Sequence, residues 1–177
     1  MPQSRGKDFE QIIRKGFMDV PNTSVYRLYD TMGGMSGIAN ISDFIIYRYP
    51  NQYFIECKAV HGNTLSISSN DPKRKYGNVS NTQWDGMLEM SKIRGVFAGV
   101  ICWFVDNDVT IFLGINALEE WRNAGHKSVN VKDIDEMIQK YHYVFYIDGE
   151  KKRIFFDYDM KKFFEKVPDL ILVRRDV

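Results

Sequence analysis

Two charged side chains stand inside a stretch whose other residues are typical of a β-strand. In the stretch 53–59, Glu56 and Lys58 are two positions apart and are surrounded by apolar and aromatic residues. Because a strand alternates its faces, a carboxylate and an ammonium group would project side by side. A turn at 50–52 predicts a preceding strand, and Asp43 on that strand can reach the same place across the hairpin.

The chemistry that this group predicts is the binding of a divalent cation. Carboxylates that crowd together repel each other, so one of them keeps a proton unless a cation lies between them. Oxygen ligands without His or Cys side chains suit Mg²⁺, or Mn²⁺ in its place. Such an ion lowers the pKa of a bound water and stabilises charge on a phosphodiester. Lys58 would then orient or deprotonate the attacking water, or neutralise the transition state.

A simpler interpretation of the same residues is a cross-strand salt bridge on a solvated face of a sheet. The metal site is favoured because the flanking residues are nearly all apolar, as in central strands. Further polar candidates, Glu10 and Gln83, lie on predicted helices before and after the hairpin. For Glu10 alone, an ion pair with Arg14 one turn later on the helix surface is equally compatible with the sequence. Gln83 alone would be a surface residue at the start of a helix.

Asp43 followed by Glu56-Cys57-Lys58 resembles the D…(D/E)xK signature of the PD-(D/E)xK nuclease superfamily. The wider pattern is similar to one branch of it, the RecU-like Holliday junction resolvase family of bacteria and their phages. The matching pieces span the first half of the chain and are Gly6 to Ile13, Asp43, Glu56 to Ala59 and Gln83.

The resemblance implies a restriction-endonuclease-like α/β core, in which a mixed central sheet is flanked by helices. It implies a Mg²⁺-dependent endonuclease that resolves four-way DNA junctions by paired nicks in recombination and repair. It also implies a homodimer, because paired cuts need two active sites related by a twofold axis. The residues that it assigns to the site are Asp43, Glu56 and the Cys57 carbonyl as metal ligands, with Glu10, Lys58 and Gln83 as further catalytic residues.

Two other functions are compatible with the same pattern. One is a restriction- or repair-type nuclease that acts on ordinary duplex or flapped DNA. It stays open because the glycine-rich loop Gly33–Gly37 is shorter than the projection that the bacterial resolvases carry at this position. The other is a catalytically silent DNA-binding module, and the intact set of Asp43, Glu56 and Lys58 argues against it. Asp30, close to this loop, is interpreted as a residue that initiates the turn.

Composition sets broader limits. At 177 residues, with 44% hydrophobic and 14% aromatic residues, the chain is most simply one globular domain, 1–177. No apolar run approaches membrane-spanning length, and the N-terminus has no apolar signal core, so a cytoplasmic location is predicted. Cys57 and Cys102 stand in predicted strands, which indicates buried thiols in a reducing compartment.

The net charge of +1 does not by itself indicate a nucleic-acid partner, so DNA binding would depend on local basic clusters. Lys73, Arg74 and Lys75, beside Tyr76, are the predicted DNA-binding residues, because such a cluster suits contact with the phosphate backbone. They lie in 61–80, a polar stretch with little pattern that is predicted to be a long, functional or flexible loop. The clusters 151–153 and 174–175 are compatible with a DNA groove or with an ordinary solvated surface.

Apolar periodicity and turn signals predict the remaining elements. The segment 96–105 is almost continuously apolar and predicts a strand that is covered on both faces. The predicted helices are 4–20 with Ser4 as cap, 80–94, 116–123, 131–141 and 159–166, and the other predicted strands are 24–29, 109–115 and a hairpin over 143–158 around Asp148-Gly149-Glu150.

Overall fold

The computed structural model describes residues 5–28 and 40–167. The helices of these residues are α1 Arg5–Met18, α2 Asn81–Ser91, α3 Ile115–Asn123, α4 Ile134–Lys140 and α5 Lys161–Lys166. The strands are β1 Ser24–Arg27, β2 Phe44–Arg48, β3 Asn51–Val60, β4 Thr64–Ser66, β5 Val96–Phe104, β6 Val109–Gly114, β7 Ser128–Asn130, β8 Val144–Tyr146, β9 Gly149–Lys151 and β10 Phe156–Tyr158.

One sheet of six strands, in the order β1-β2-β3-β5-β6-β8, runs through the centre of the molecule. β3 and β5 are parallel, with Glu56 opposite Val100, whereas the other neighbouring pairs are antiparallel. The parallel pair forms because α2 carries the chain from the end of β3 back to the start of β5. The predicted α/β class, with a mixed central sheet flanked by helices, is confirmed.

Each face of this sheet has its own apolar core. On one face, α1 and α5 contribute Phe9, Phe17 and Phe163. On the other face, α2 and α3 contribute Trp84 and Trp121. β5 lies between the two cores and is buried at every position, as its continuous apolar sequence predicts. No helix in the described residues is both long enough and apolar enough to cross a lipid bilayer.

The helix that follows the long loop begins where the sequence predicts. The Ser80 hydroxyl accepts a hydrogen bond from the Gln83 amide at 3.2 Å, and the Gln83 side-chain oxygen accepts one from the Ser80 amide at 3.1 Å. This reciprocal cap satisfies two of the free amides at the helix start. After α2, Gly95 has a φ of 81°, a conformation that glycine adopts without strain, and the chain turns there into β5.

Two predicted elements are wrong. The segment 61–80 is not an unpatterned loop, because it contains β4, which pairs with β7, and it buries Leu65, Ile67 and Val79. The hairpin over 143–158 does not turn at Asp148-Gly149-Glu150. Instead β8 joins the central sheet beside β6, and Gly149 opens β9, which pairs with β10.

Some predictions fall on residues outside the described ranges. These are the Ser4 cap, the end of the predicted first strand at Tyr29, Asp30, the loop Gly33–Gly37 and the basic pair Arg174-Arg175.

Candidate active site

Asp43 lies beside β3 at the point where β2 begins and the adjoining edge of β3 is no longer paired with it. β2 begins at Phe44, which pairs with Ile55, so the part of β3 after Ile55 extends past β2. Asp43 directly precedes β2, and its side chain lies beside this unpaired part of β3. Its side-chain oxygen Oδ2 accepts a hydrogen bond of 2.8 Å from the backbone amide of Cys57. The hairpin therefore places the Asp43 carboxylate beside the Glu56-Cys57-Lys58 run, as the sequence predicts.

The Glu56 carboxylate is buried, with 1% of the residue exposed. Its Oε1 lies 2.6 Å from Nζ of Lys58, whereas Oε2 has no hydrogen-bond partner within the described part of the chain. Burial, together with the nearby charge of Asp43, raises the pKa of Glu56 to about 7. A buried polar atom without a partner costs about 1–3 kcal/mol. In this position the Glu56 carboxylate lacks a hydrogen bond or ion pair at Oε2 among the described residues.

Lys58 is a charged neighbour of both acids. Burial alone would lower the pKa of its ammonium group, but the Glu56 and Asp43 carboxylates outweigh burial and raise the pKa. A quarter of its side chain stays exposed, so the group can also reach a ligand from solvent. Burial raises the pKa of Asp43 as well, although the Cys57 amide and Lys58 act in the opposite direction. Lys58 is therefore an ammonium donor in this arrangement rather than a free base.

Glu10 reaches the site from α1, but its ion-pair partner is Arg27. Oε2 of Glu10 lies 2.6 Å from an Arg27 Nη atom, and both side chains are partly buried. Burial and the charge of Asp43 raise the pKa of Glu10, and Arg27 counteracts this shift. The predicted alternative, an ion pair between Glu10 and Arg14, is wrong, because the Arg27 side chain of the neighbouring strand occupies the Glu10 carboxylate.

Arg27 is the residue of this cluster that sequence reasoning misses. It ends β1 and pairs with Phe44, the residue after Asp43, so the strand register sets it beside the acids. It also counteracts the rise in the pKa of Asp43. A lone arginine at the end of an otherwise uncharged strand, Ser24–Arg27, is the signal that could have drawn attention to it.

Gln83 lies in the first turn of α2, and its side chain is close to Glu56. Its side-chain interaction with Glu56 favours the charged carboxylate and lowers the pKa, against the effect of burial. The Gln83 oxygen is already engaged by the Ser80 amide. Because this oxygen is engaged, the Gln83 group that remains for an interaction with Glu56 is the amide nitrogen, a donor.

Cys57 offers its backbone rather than its thiol. The thiol is buried, and burial raises its pKa well above the ordinary value, so a thiolate does not form there. The Cys57 amide donates to Asp43. Since the N–H and C=O groups of one strand residue point to the same strand edge, the Cys57 carbonyl also lies on the side of Asp43.

The predicted DNA-binding residues Lys73, Arg74 and Lys75 are exposed, around the short 3₁₀ turn Pro72–Arg74. Tyr76 is not available to a ligand, because it is buried and stacks on Trp84 with ring centroids 4.7 Å apart. This stack anchors the basic turn to α2, the helix that carries Gln83.

Two lysines of the second basic cluster, 151–153, already form ion pairs with acids. Lys151 forms an ion pair with Asp108, and Lys152 forms one with Glu150 at 2.8 Å.

The residues at this edge fit a magnesium ion, by the chemistry of their donors. Within the described residues no set of three or more His, Cys, Asp or Glu side chains is arranged to hold a metal. Mg²⁺, however, commonly binds through one or two carboxylates and completes its shell with waters and substrate phosphates. Asp43 and the unpartnered Oε2 of Glu56 supply two such oxygens, and the Cys57 carbonyl lies on the same side.

Fold and site together define an α/β protein with a carboxylate–lysine centre at an open edge of a mixed sheet. No protein-family model matches the chain, and no curated protein matches it. Among solved structures, the chain is similar to Hjc from Archaeoglobus fulgidus, a Holliday junction resolvase from an archaeal hyperthermophile. The two share 14% sequence identity with a TM-score of 0.44, over 63% of this chain and 78% of that chain. So distant a similarity assigns neither a family nor an activity, and the RecU-like resemblance stays a prediction.

Proposed function

We propose that this protein is a Mg²⁺-dependent endonuclease that hydrolyses DNA phosphodiesters at Asp43, Glu56 and Lys58. The observation that carries the proposal is the buried Glu56 carboxylate beside the Asp43 carboxylate. One Glu56 oxygen contacts Lys58, and the other has no hydrogen-bond partner in the part of the chain that the structure describes. A cation between the two acids would satisfy the free oxygen and remove their repulsion. The order of these residues in the sequence, which resembles the PD-(D/E)xK signature, supports the same conclusion.

Each residue then has a distinct part in the reaction. Asp43 and Glu56 would hold the metal, with the Cys57 carbonyl as a further ligand. Mg²⁺ would supply a water of lowered pKa and charge stabilisation at the phosphodiester, and Mn²⁺ would substitute. The Lys58 ammonium would orient the attacking water and stabilise negative charge in the transition state. Glu10 would add negative charge beside Asp43.

Gln83 and the basic turn would position the Glu56 side chain and the DNA, and would not take part in bond cleavage. The Gln83 amide would hold the Glu56 side chain in its orientation. Lys73, Arg74 and Lys75 would contact the DNA backbone, because they are exposed on a turn that is anchored to the same helix as Gln83.

The substrate that we propose is the four-way DNA junction of recombination and repair. Symmetric cuts in a junction need two active sites, so the active form would be a homodimer with a twofold axis. A cytoplasmic location is consistent with this substrate.

The test is a cleavage assay on a synthetic four-way junction, a linear duplex and a flapped duplex, with Mg²⁺ or with EDTA. Asp43→Asn keeps an acceptor for the Cys57 amide but removes the charge. Asp19→Asn, which changes an exposed residue directly after α1, is the control. The wild type and the Asp19 variant should make paired nicks in the junction only with Mg²⁺, whereas the Asp43 variant should bind without cutting.

Other outcomes would change the proposal. Equal cutting of all three DNAs would indicate a restriction- or repair-type nuclease without junction selectivity. No metal-dependent nick in any DNA would contradict the enzyme and favour a silent DNA-binding module.

A further inference from the structure

Arg14 lies on α1 one turn after Glu10, and among the described residues no acceptor lies within hydrogen-bond distance of its Nε atom. Glu10, the neighbouring acid on the same helix face, forms its ion pair with Arg27. The Nε atom of Arg14 is shielded from solvent and makes no hydrogen bond within the described residues. A guanidinium group has five donors and no acceptor, so burying one of them without a partner is costly unless a ligand arrives.

The position of Arg14 relates it to the candidate active site. Residues four apart lie on the same face of a helix, so Arg14 and Glu10 face the same side, about 6 Å apart along the axis. Glu10 in turn is close enough to Asp43 and Lys58 for each to shift its pKa. Arg14 is only partly buried, and its Nη atoms are not shielded as Nε is, so an anion from solvent can reach the end of the guanidinium group.

We infer that Arg14 binds a phosphate of the DNA backbone that neighbours the scissile phosphodiester. The inference rests on the proposed function, because it assumes a DNA strand across Asp43 and Glu56. The planar guanidinium matches a phosphate with two parallel hydrogen bonds, which a lysine cannot form. Glu10 is paired with Arg27, so the phosphate would take its place as the acceptor for the Arg14 guanidinium group. Arg14 is thus a substrate-binding residue and not a partner of Glu10.

The test measures DNA binding without cleavage, by fluorescence anisotropy of a labelled four-way junction in EDTA over a series of salt concentrations. Arg14→Met keeps the length of the side chain and removes its donors. Lys15→Met removes an exposed charge from the next position of the same helix and is the matched control. Arg14→Lys keeps the positive charge but cannot form two parallel hydrogen bonds with one phosphate.

Arg14→Met should weaken binding several-fold and reduce the slope of log K against log salt by about 0.9, the value of one lost phosphate contact. Arg14→Lys should bind with the salt slope of the wild type but with lower affinity. Lys15→Met should keep both the salt slope and the affinity of the wild type. The melting temperature of Arg14→Met should not fall, because the shielded Nε donor of Arg14 makes no hydrogen bond to any residue that the structure describes. A fall in melting temperature with an unchanged salt slope would show a structural role and overturn the inference.

Failure of this inference can be told apart from failure of the proposed function. If the wild type nicks DNA with Mg²⁺ but Arg14→Met binds with wild-type affinity and slope, the Arg14 assignment alone is wrong. An equal loss in Lys15→Met would also overturn it, since the effect would be one of general charge. If the wild type neither nicks nor binds any of the DNAs, both proposals are wrong.

Discussion

The Glu56 and Lys58 side chains make an asymmetric pair, in which Oε1 lies 2.6 Å from the ammonium nitrogen and Oε2 has no partner among the described residues. Glu89 and Lys92, at the end of α2, form a pair of the same length, but both are well exposed. An exposed pair contributes little to stability because water satisfies both groups. The Glu56 carboxylate is buried and cannot be hydrated in this way. Its stability in the folded protein therefore depends on whether a proton or a cation is bound to it.

The first prediction concerns stability against pH without metal. The pKa of Glu56 is raised from 4.5 to about 7, so between these values the folded state holds a proton that the unfolded state has lost. Stability from this group is therefore complete below about pH 4.5 and is lost as pH rises through about 7. The loss is on the order of 3 kcal/mol at most.

Denaturant unfolding in EDTA at about pH 5 and about pH 8 measures this loss. Glu56→Gln should flatten the pH dependence relative to the wild type, and Glu89→Gln, an exposed acid, should not. An unchanged pH dependence in Glu56→Gln would show that its carboxyl titrates normally.

The second prediction concerns Lys58. Lys58→Ala removes the ammonium that would stabilise the transition state, so cleavage should fall by about 100-fold or more while DNA binding changes little. Lys92→Ala, which breaks the exposed pair of the same length, should cleave like the wild type. Single-turnover cleavage and anisotropy measure the two effects separately. Wild-type cleavage by Lys58→Ala would remove this residue from the mechanism.

The third prediction separates the two contacts of Gln83. Gln83→Ala loses the helix cap and the contact with Glu56, so the free energy of unfolding should fall by about 1 kcal/mol and cleavage should weaken. Gln83→Glu keeps an acceptor for the Ser80 amide but places a negative charge beside Glu56. Its melting temperature should stay near that of the wild type, and its cleavage should need higher pH.

The measurements for Gln83 are thermal unfolding and the pH profile of cleavage. If Gln83→Ala melts at a lower temperature but both variants cleave with the wild-type pH profile, Gln83 is a helix cap and has no part in the site.

Local patterns predicted the parts of the site that lie on one hairpin. Alternation along β3 places Glu56 and Lys58 on one face, and the turn at 50–52 brings Asp43 beside them, because both relationships depend on near neighbours in sequence. The continuous apolar run of β5 likewise indicated a buried strand. Glu10 and Gln83 as site residues came from the family resemblance, since nothing in their own helices distinguishes them from surface residues.

Contacts between distant segments were not predictable in the same way. Arg27 meets Glu10 only through the pairing of β1 with β2, a register that no local pattern encodes. In the segment 61–80, isolated apolar residues such as Leu65 and Ile67 are buried by β7 and the helices, without any periodicity that would indicate it. Asp148-Gly149 is a typical turn signal, but pairing with β6 draws the preceding strand into the central sheet.

The central claim is that Asp43 and Glu56 together hold a divalent ion, and a Mn²⁺ titration followed by electron paramagnetic resonance tests it most directly. The wild type and the Asp19→Asn control should bind Mn²⁺ more tightly at about pH 8 than at about pH 5, because protons compete for the carboxylates. Asp43→Asn and Glu56→Gln should each lose this binding. Equal Mn²⁺ binding by the wild type and both variants, or no binding by the wild type, would contradict the account.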